Sequence, residues 1–207
     1  MTPRLVVATR NKGKLVEMRR ILEPAVPDVV VLGLDDLVPF DEPDETEPSF
    51  EGNALIKARV TADVTGLPSL ADDSGICVDA LNGMPGVRSA RWAGPAKDDK
   101  ANNALLLAQL DDVPAGDRGA EFRCAVALVQ PVDGGGPPTE VVEIGVMRGT
   151  VLREPQGEGG FGYDPLFVAS GQKVSNGVLD AAAKDAISHR GKALRAIVPA
   201  LIDALSQ

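Results

Sequence analysis

The chain has 207 residues, 44% of them hydrophobic and 25% charged, which is ordinary for a globular protein that buries a core. Its formal net charge of -9 argues against bulk binding to nucleic acid or to an anionic membrane, because both need a basic surface. No apolar run approaches the roughly 20 residues that span a bilayer, and the first apolar run is too short for a signal peptide. These features predict a cytoplasmic protein that binds neither a nucleic-acid polymer nor a membrane.

The first part of the chain alternates strand and helix patterns. Short apolar runs predict strands, and apolar residues recurring on one face predict a helix between them. Ser49 is the predicted N-cap of a second helix that ends at Gly66. The predicted elements are strands at residues 5–8, 29–32 and 69–79, helices at 14–22 and 49–66, and an acidic, proline-rich loop at 38–48.

The second part of the chain combines a predicted hairpin with further helices. Asp98 is the predicted cap of a helix that contains Leu106 and Leu110. Two apolar segments around a turn-rich stretch predict a long antiparallel hairpin. The predicted elements are loops at 81–96 and 154–164, hairpin strands at 122–129 and 141–147 around a turn at 133–138, and a helix at 188–205 bent near Pro199. The sequence therefore predicts an α/β fold with a mixed rather than a purely parallel sheet.

The cysteines and the single histidine limit the metal and redox chemistry. With one histidine in the chain, no Cys/His cluster suggests zinc. Cys77 and Cys124 both lie in apolar runs. We predict that both are buried free thiols in a reducing compartment, because two cysteines alone do not establish a disulfide.

The segment Leu70-Ala71-Asp72-Asp73-Ser74-Gly75 places two adjacent carboxylates between apolar runs. Two such acids repel each other and resist burial, so they need a counter-charge, which a divalent cation supplies. Asp, Ser and Gly are also common in solvated turns, and on its own the segment fits a turn between two strands slightly better. The other clusters must decide between a turn and a metal site.

The segment Thr9-Arg10-Asn11-Lys12-Gly13-Lys14 joins a predicted strand to a predicted helix, where backbone N–H groups and the helix dipole favour an anion. It is not the phosphate-binding motif G-x-x-x-x-G-K-[ST], because Ala8 replaces the first glycine and Leu15 replaces the hydroxyl residue. An ordinary helix cap with a solvated lysine explains the segment equally well.

An acidic loop follows at residues 41–47. Such a charge run is usually a solvated face of the protein. One of its acids could instead complete a metal site begun by Asp73, because Mg²⁺ often keeps waters plus one or two carboxylates and the substrate phosphates.

Two later clusters carry groups suited to a nucleotide base. In residues 159–165, glycines allow close backbone approach to a flat ligand, Phe161 can stack on a base, and Asp164 can accept a hydrogen bond from a ring N–H. A glycine-rich hinge without a ligand is the alternative. Lys184 and Arg190 are cations suited to phosphate or to purine carbonyl oxygens, although the adjacent His189 alone would more often be a packing or capping residue.

These segments, taken in order, resemble the inosine triphosphate pyrophosphatase family, and the match runs essentially from end to end. Each segment alone is weak evidence, whereas their order and spacing together are highly specific. The matching segments are residues 8–14, 50–54, 57–59, 71–75, 83–87, 89–91, 159–165 and 187–191.

The resemblance implies one domain over residues 1–207, an elongated two-lobed α/β fold with a mixed sheet flanked by helices and the active site in the cleft between the lobes. It also implies a homodimer. The implied reaction is Mg²⁺-dependent hydrolysis of inosine, deoxyinosine and xanthosine triphosphates between the α- and β-phosphates. The products are the monophosphate and pyrophosphate, so the enzyme would cleanse the nucleotide pool.

The resemblance also implies roles for individual residues. Asp73 would bind Mg²⁺ and position or deprotonate the attacking water, with Glu45 or Asp44 as a second ligand and Asp72 as a supporting carboxylate. The remaining residues would bind substrate: the phosphates at Thr9, Arg10, Asn11, Lys12, Gly13 and Lys14, a further contact at Ser74, the base pocket at Phe161, Gly162, Tyr163 and Asp164, and the base with its 6-oxo group at Lys184, His189 and Arg190.

The chain departs from the family pattern at two places. Arg10 stands where the family usually has Gly, Ser or Asn, and the Glu that often precedes Lys184 is absent. The sequence also allows two other functions, a pyrimidine triphosphate pyrophosphatase of the related septum-inhibitor type and a nucleotide sensor without catalysis. The pair His189-Arg190 argues against the first, and the pair Asp72-Asp73 argues against the second.

Overall fold

The computed structural model describes residues 2–132, 134 and 136–206. Its strands are β1 Arg4–Val7, β2 Val30–Gly33, β3 Ser69–Val78, β4 Gly119–Gln130, β5 Thr139–Val151 and β6 Phe167–Ala169. Its α-helices are α1 Lys12–Leu22, α2 Phe50–Thr65, α3 Asp99–Gln109, α4 Ala181–Ile187 and α5 His189–Leu205. No helix within the described residues has both the length and the hydropathy of a membrane span.

The six strands form one sheet in the order β2-β1-β3-β4-β5-β6. β1 pairs in parallel with β2 and with β3, whereas β5 pairs antiparallel with β6. The predicted α/β class with a mixed sheet is thus confirmed. Residues 133 and 135, at the predicted hairpin turn, lie outside the described residues.

The segment with the two adjacent acids is part of a continuous strand, so a solvated turn at this place is wrong. β3 runs through Asp72 and Asp73, and both residues are buried, with 2% and 5% of their surface exposed. Local turn propensity is overridden here because partners elsewhere in the chain compensate the buried carboxylates.

Capping residues mark the ends of helices α1, α2 and α4. At the start of α2, Ser49 Oγ accepts a hydrogen bond from the backbone N–H of Gly52 (3.1 Å), and at its end Gly66 has the left-handed φ of 65°. α1 begins two residues earlier than predicted because Asn11 Oδ1 accepts from the backbone N–H of Lys14 at 3.0 Å. The short helix α4, capped by Asp180, was not predicted.

The chain divides into two compact units. Unit 1 comprises residues 1–73, 124–145 and 190–207, and unit 2 comprises residues 74–123 and 146–189. The core of unit 1 packs α1 and α5 residues such as Met18 and Leu194 against strand residues such as Leu70. The core of unit 2 includes Leu106 and Leu110 together with Phe167. The single domain of two lobes implied above stays a prediction.

Both cysteines are free thiols, as predicted, but they differ in exposure. Cys124 is buried and Cys77 is only partly buried. Burial, and then the carboxylate of Glu121, raise the pKa of the Cys77 thiol to about 11.

Alkylation of Cys77 is expected to be slow at pH 8 and to accelerate up to about pH 11, because the thiolate is the reactive form. Mass spectrometry after short pulses of iodoacetamide at stepped pH measures the rate. Glu121→Gln removes one of the charges that disfavour the thiolate and should move the profile to lower pH. A wild-type rate that levels off near the ordinary thiol pKa of 9.0 would contradict this prediction.

Candidate active site

Asp73 lies near the middle of β3 and is held in place by α2 of the same unit. Its Oδ2 atom accepts a hydrogen bond from Asn53 Nδ2 at 3.0 Å, and its Oδ1 atom is 4.0 Å from Lys57 Nζ. Burial raises the pKa of Asp73 and the neighbouring Glu45 carboxylate raises it further, although Lys57 acts in the opposite direction. A carboxylate with a raised pKa and fixed orientation is suited to accept a proton.

The acidic loop contributes Glu45 to this cluster. Lys57 Nζ donates to Glu45 Oε1 at 2.9 Å and to the backbone carbonyl of Asp72 at 2.7 Å. Burial alone would lower the pKa of Lys57, but the surrounding carboxylates outweigh it and raise the pKa. Glu45 is partly buried, whereas Asp44 is exposed. Of the two acids that the sequence left open, Glu45 is the one that approaches the same lysine as Asp73.

The chemistry of these donors fits a magnesium ion. Within the described ranges no group of three or more His, Cys, Asp or Glu side chains could hold a metal. Asp73 and Glu45 nevertheless offer two carboxylates around one lysine, and Mg²⁺ commonly binds one or two carboxylates with waters and substrate phosphates. A cation would also offset the burial and the repulsion by Glu45 that raise the pKa of Asp73.

Asp72 belongs to a different buried cluster of unit 1. Its Oδ2 atom lies 3.0 Å from Lys14 Nζ and 3.1 Å from a guanidinium nitrogen of Arg190. Arg190 also pairs with Glu17 of α1. Desolvation opposes ionisation of Asp72, but Lys14 and Arg190 outweigh it and hold its pKa far below the usual range. Asp72 thus neutralises and orients two cations that the sequence assigned to substrate.

The predicted phosphate segment lies at the start of α1. Thr9 Oγ1 accepts a hydrogen bond from the backbone N–H of Asn11 at 3.2 Å. Lys12 and Gly13 form the first turn of the helix. Arg10 is paired with Glu42 and lies 3.7 Å from Asp35, so its guanidinium is held by nearby acids. The segment thus lies at a helix N-terminus, where the helix dipole favours an anion.

Asp164 is the centre of the predicted base pocket in unit 2. Its carboxylate accepts from Lys184 Nζ at 2.6 Å, from the backbone N–H of Phe161 at 2.9 Å and from Asn176 Nδ2 at 3.2 Å. A buried carboxylate with three donors is an anchor for the surrounding loop. A Cβ at Gly160 would clash with Asp164, which explains the glycine there.

The other residues of unit 2 that were predicted to bind substrate have contacts of their own. Lys184 Nζ lies 5.0 Å from the centre of the Phe161 ring, within cation–π range. The hydroxyl of the buried Tyr163 donates to the backbone carbonyl of Ser89 at 2.9 Å. His189 is buried and stacked on Phe122 with ring centres 4.8 Å apart. Ser74 directly follows Asp73 in β3 and is partly buried.

Three residues that contact the unit 1 clusters were not singled out as site residues from the sequence. Asn53 and Lys57 are four positions apart on α2 and therefore face the same side, toward Asp73. Glu17 is buried in α1 beside Arg190. The i, i+4 spacing of two polar residues was an available signal for the first two, whereas Glu17 sits in an ordinary helical pattern.

Many known proteins are similar to this chain in sequence or in fold. A family model described as Ham1 family matches residues 5–200. A protein of Nocardia farcinica named dITP/XTP pyrophosphatase is 61% identical over 199 residues, covering 96% of this chain and 94% of its own length. The solved structure of the Staphylococcus aureus Ham1 protein has a TM-score of 0.83 at 36% identity, covering 97% of this chain and 98% of its own.

A second solved structure, titled nucleoside-triphosphatase / dITP/XTP pyrophosphatase from Mycobacterium abscessus, is 50% identical with a TM-score of 0.74. It covers 95% of this chain and 99% of its own. The chain therefore belongs to the Ham1 family, and its resemblance to the inosine triphosphate pyrophosphatases is confirmed.

Proposed function

We propose that this protein is a magnesium-dependent nucleoside triphosphate pyrophosphatase that hydrolyses deoxyinosine, inosine and xanthosine triphosphates to the monophosphate and pyrophosphate. The names of its close relatives support the substrate class. The observation that carries the proposal is the cluster in which Lys57 Nζ lies 2.9 Å from Glu45 and 4.0 Å from the buried Asp73, because two neighbouring carboxylates can hold a metal ion for hydrolysis.

Asp73 is the proposed general base. Its orientation is fixed by Asn53, and its carboxylate would position, or take a proton from, a water that attacks the α-phosphorus. The bond to the β-phosphate breaks and pyrophosphate leaves. Asp73 and Glu45 would hold Mg²⁺, which neutralises phosphate charge when bound.

The remaining polar residues are assigned to binding. The start of α1, from Thr9 to Lys14, takes the phosphates through backbone N–H groups and the helix dipole. Phe161 stacks on the base, with Lys184 and Asp164 fixing the loop that carries it. His189 and Arg190 are proposed to complete selection of a 6-oxo purine, since adenine presents an amine where donors need an acceptor.

A panel of nucleoside triphosphates, with phosphate and pyrophosphate assayed separately, tests the proposal. Deoxyinosine triphosphate with Mg²⁺ should yield equal amounts of monophosphate and pyrophosphate. Release of single phosphate would refute it, preference for pyrimidine nucleotides would favour the septum-inhibitor type, and tight binding without turnover would indicate a sensor. We further propose that the protein is a cytoplasmic homodimer. Light scattering of the purified protein measures its molar mass and so tests whether it is a dimer.

Glu45→Gln is expected to raise the Mg²⁺ concentration for half-maximal activity by about tenfold or more, since loss of a charged ligand weakens a hard-cation site. Asp44→Asn is the matched control, because the neighbouring acid is exposed and should leave the magnesium dependence unchanged. Activity measured across a magnesium titration gives both values. If Asp44→Asn raises the magnesium requirement and Glu45→Gln does not, the second ligand is Asp44 and the prediction is wrong.

A further inference from the structure

Phe161 lies between two glycines whose backbone is in the left-handed region, with φ of 73° at Gly160 and 61° at Gly162. Glycine reaches this region without steric cost but also leaves it easily. Phe161 can therefore keep a defined ring position only if other groups restrain the backbone around it. The bond from its N–H to Asp164 restrains one side.

Helix α3 restrains the other side through both polar groups of Gly162. The N–H of Gly162 donates to Asp99 Oδ2 at 2.8 Å, and its carbonyl accepts from Asn103 Nδ2 at 3.0 Å. Asp99 and Asn103 are four positions apart, so they project from the same face of the helix. The carboxylate of Asp99 and the amide N–H of Asn103 are therefore spaced to bind the N–H and the carbonyl of Gly162 at the same time.

Helix α3 is itself firmly placed in unit 2. Leu106 and Leu110 are fully buried in its core. Asn102 bonds the backbone of Ala90 and Ala93 at 3.1 and 2.7 Å. The buried Arg118 donates to the carbonyl of Leu110 just after the helix ends. Side chains on such a rigid helix can hold the loop that they bind in a fixed position.

We infer that Asp99 and Asn103 are positioning residues that hold Gly162 and thereby set where the Phe161 ring meets the base. This role rests on the proposed function, because it presupposes a base stacked on Phe161. Both residues act on the substrate only through Gly162, which adjoins the residue assigned to the base. Their loss should therefore weaken recognition of the base and leave recognition of phosphate intact.

Two pairs of variants test this clamp, which consists of Asp99 and Asn103 bound to Gly162. Asp99→Ala removes the acceptor for Gly162 N–H, while Asp99→Asn keeps an acceptor oxygen in the same place. Asn103→Asp keeps the shape but turns a donor into a carboxylate facing the Gly162 carbonyl. If Asn103→Asp does not fold, Asn103→Ala takes its place in the experiment. Lys100→Ala, at an exposed position in the same turn, is the control.

Asp99→Ala and Asn103→Asp are expected to raise KM for deoxyinosine triphosphate and the inhibition constant of deoxyinosine monophosphate by about five- to tenfold, the effect of one hydrogen bond. The inhibition constant of pyrophosphate, which lacks a base, should stay within twofold. Asp99→Asn and Lys100→Ala should match the wild type.

The outcomes separate the clamp from the function. Unchanged KM in Asp99→Ala and in both Asn103 variants would overturn the positioning role, and so would a parallel rise in the pyrophosphate constant, which indicates a general defect. A wild type that does not release pyrophosphate from deoxyinosine triphosphate would instead refute the proposed function. In that case, binding of deoxyinosine monophosphate to wild type and variants still decides whether the clamp acts on the base.

Discussion

Asp73→Asn is expected to lower kcat by roughly two to four orders of magnitude while KM changes little. The amide keeps the shape and the hydrogen bond to Asn53 but can neither take a proton nor carry the charge that a cation needs. Because substrate binding is assigned mainly to other residues, the loss falls on the chemical step. Steady-state rates of pyrophosphate release from deoxyinosine triphosphate measure it.

Asp63→Asn provides the control for this experiment. Asp63 is an exposed acid on α2, so its variant makes the same chemical change on the surface of the same unit. It should retain wild-type kcat. If Asp73→Asn keeps more than about a tenth of wild-type turnover, well above the usual loss for a general base, Asp73 is not the base.

Asp72→Asn is expected to destabilise the protein by about 3–5 kcal/mol, the usual cost of breaking a buried ion pair from one side. The neutral amide leaves Lys14 and Arg190 without the fully buried carboxylate that they share. Urea denaturation monitored by circular dichroism measures the change in the free energy of unfolding.

Glu140→Gln is the matched control for the stability experiment. Glu140 pairs with Arg59 at 2.7 Å in the same unit, but both side chains are partly exposed. Such a surface pair contributes less than about 1 kcal/mol. If the two variants are equally stable, the Asp72 cluster contributes no more than a surface pair and the cost assigned to its burial is wrong.

The elements that local patterns specify were predictable from the sequence. Helix α2 begins after Ser49 and ends at Gly66 because a side-chain cap and a left-handed glycine are local devices. The apolar runs gave β1 and β2 within one residue of their bounds. Helix α4 was missed because it is only seven residues long and its start depends on one cap, Asp180.

The pairing of the site residues was less predictable. Resemblance implied Asp73 and the acidic loop as metal ligands, but only the folded chain shows that Glu45, and not the exposed Asp44, bonds Lys57. Asp72 was interpreted as a supporting carboxylate, and its partner Arg190 lies 118 positions away. Hydrophobic periodicity and caps report contacts within a few residues, so no local pattern could reveal that pair.

Unit 1 is assembled from three separate segments of the chain, and this has a consequence for synthesis. Arg190 follows its partner Asp72 by 118 positions and its partner Glu17 by 173. A ribosome adds about 5–20 residues per second, so Arg190 is made roughly 6–24 s after Asp72. Until then neither carboxylate has that guanidinium to offset its burial. A nascent chain therefore cannot close the core of unit 1 around this cluster until every residue of unit 2 has been translated.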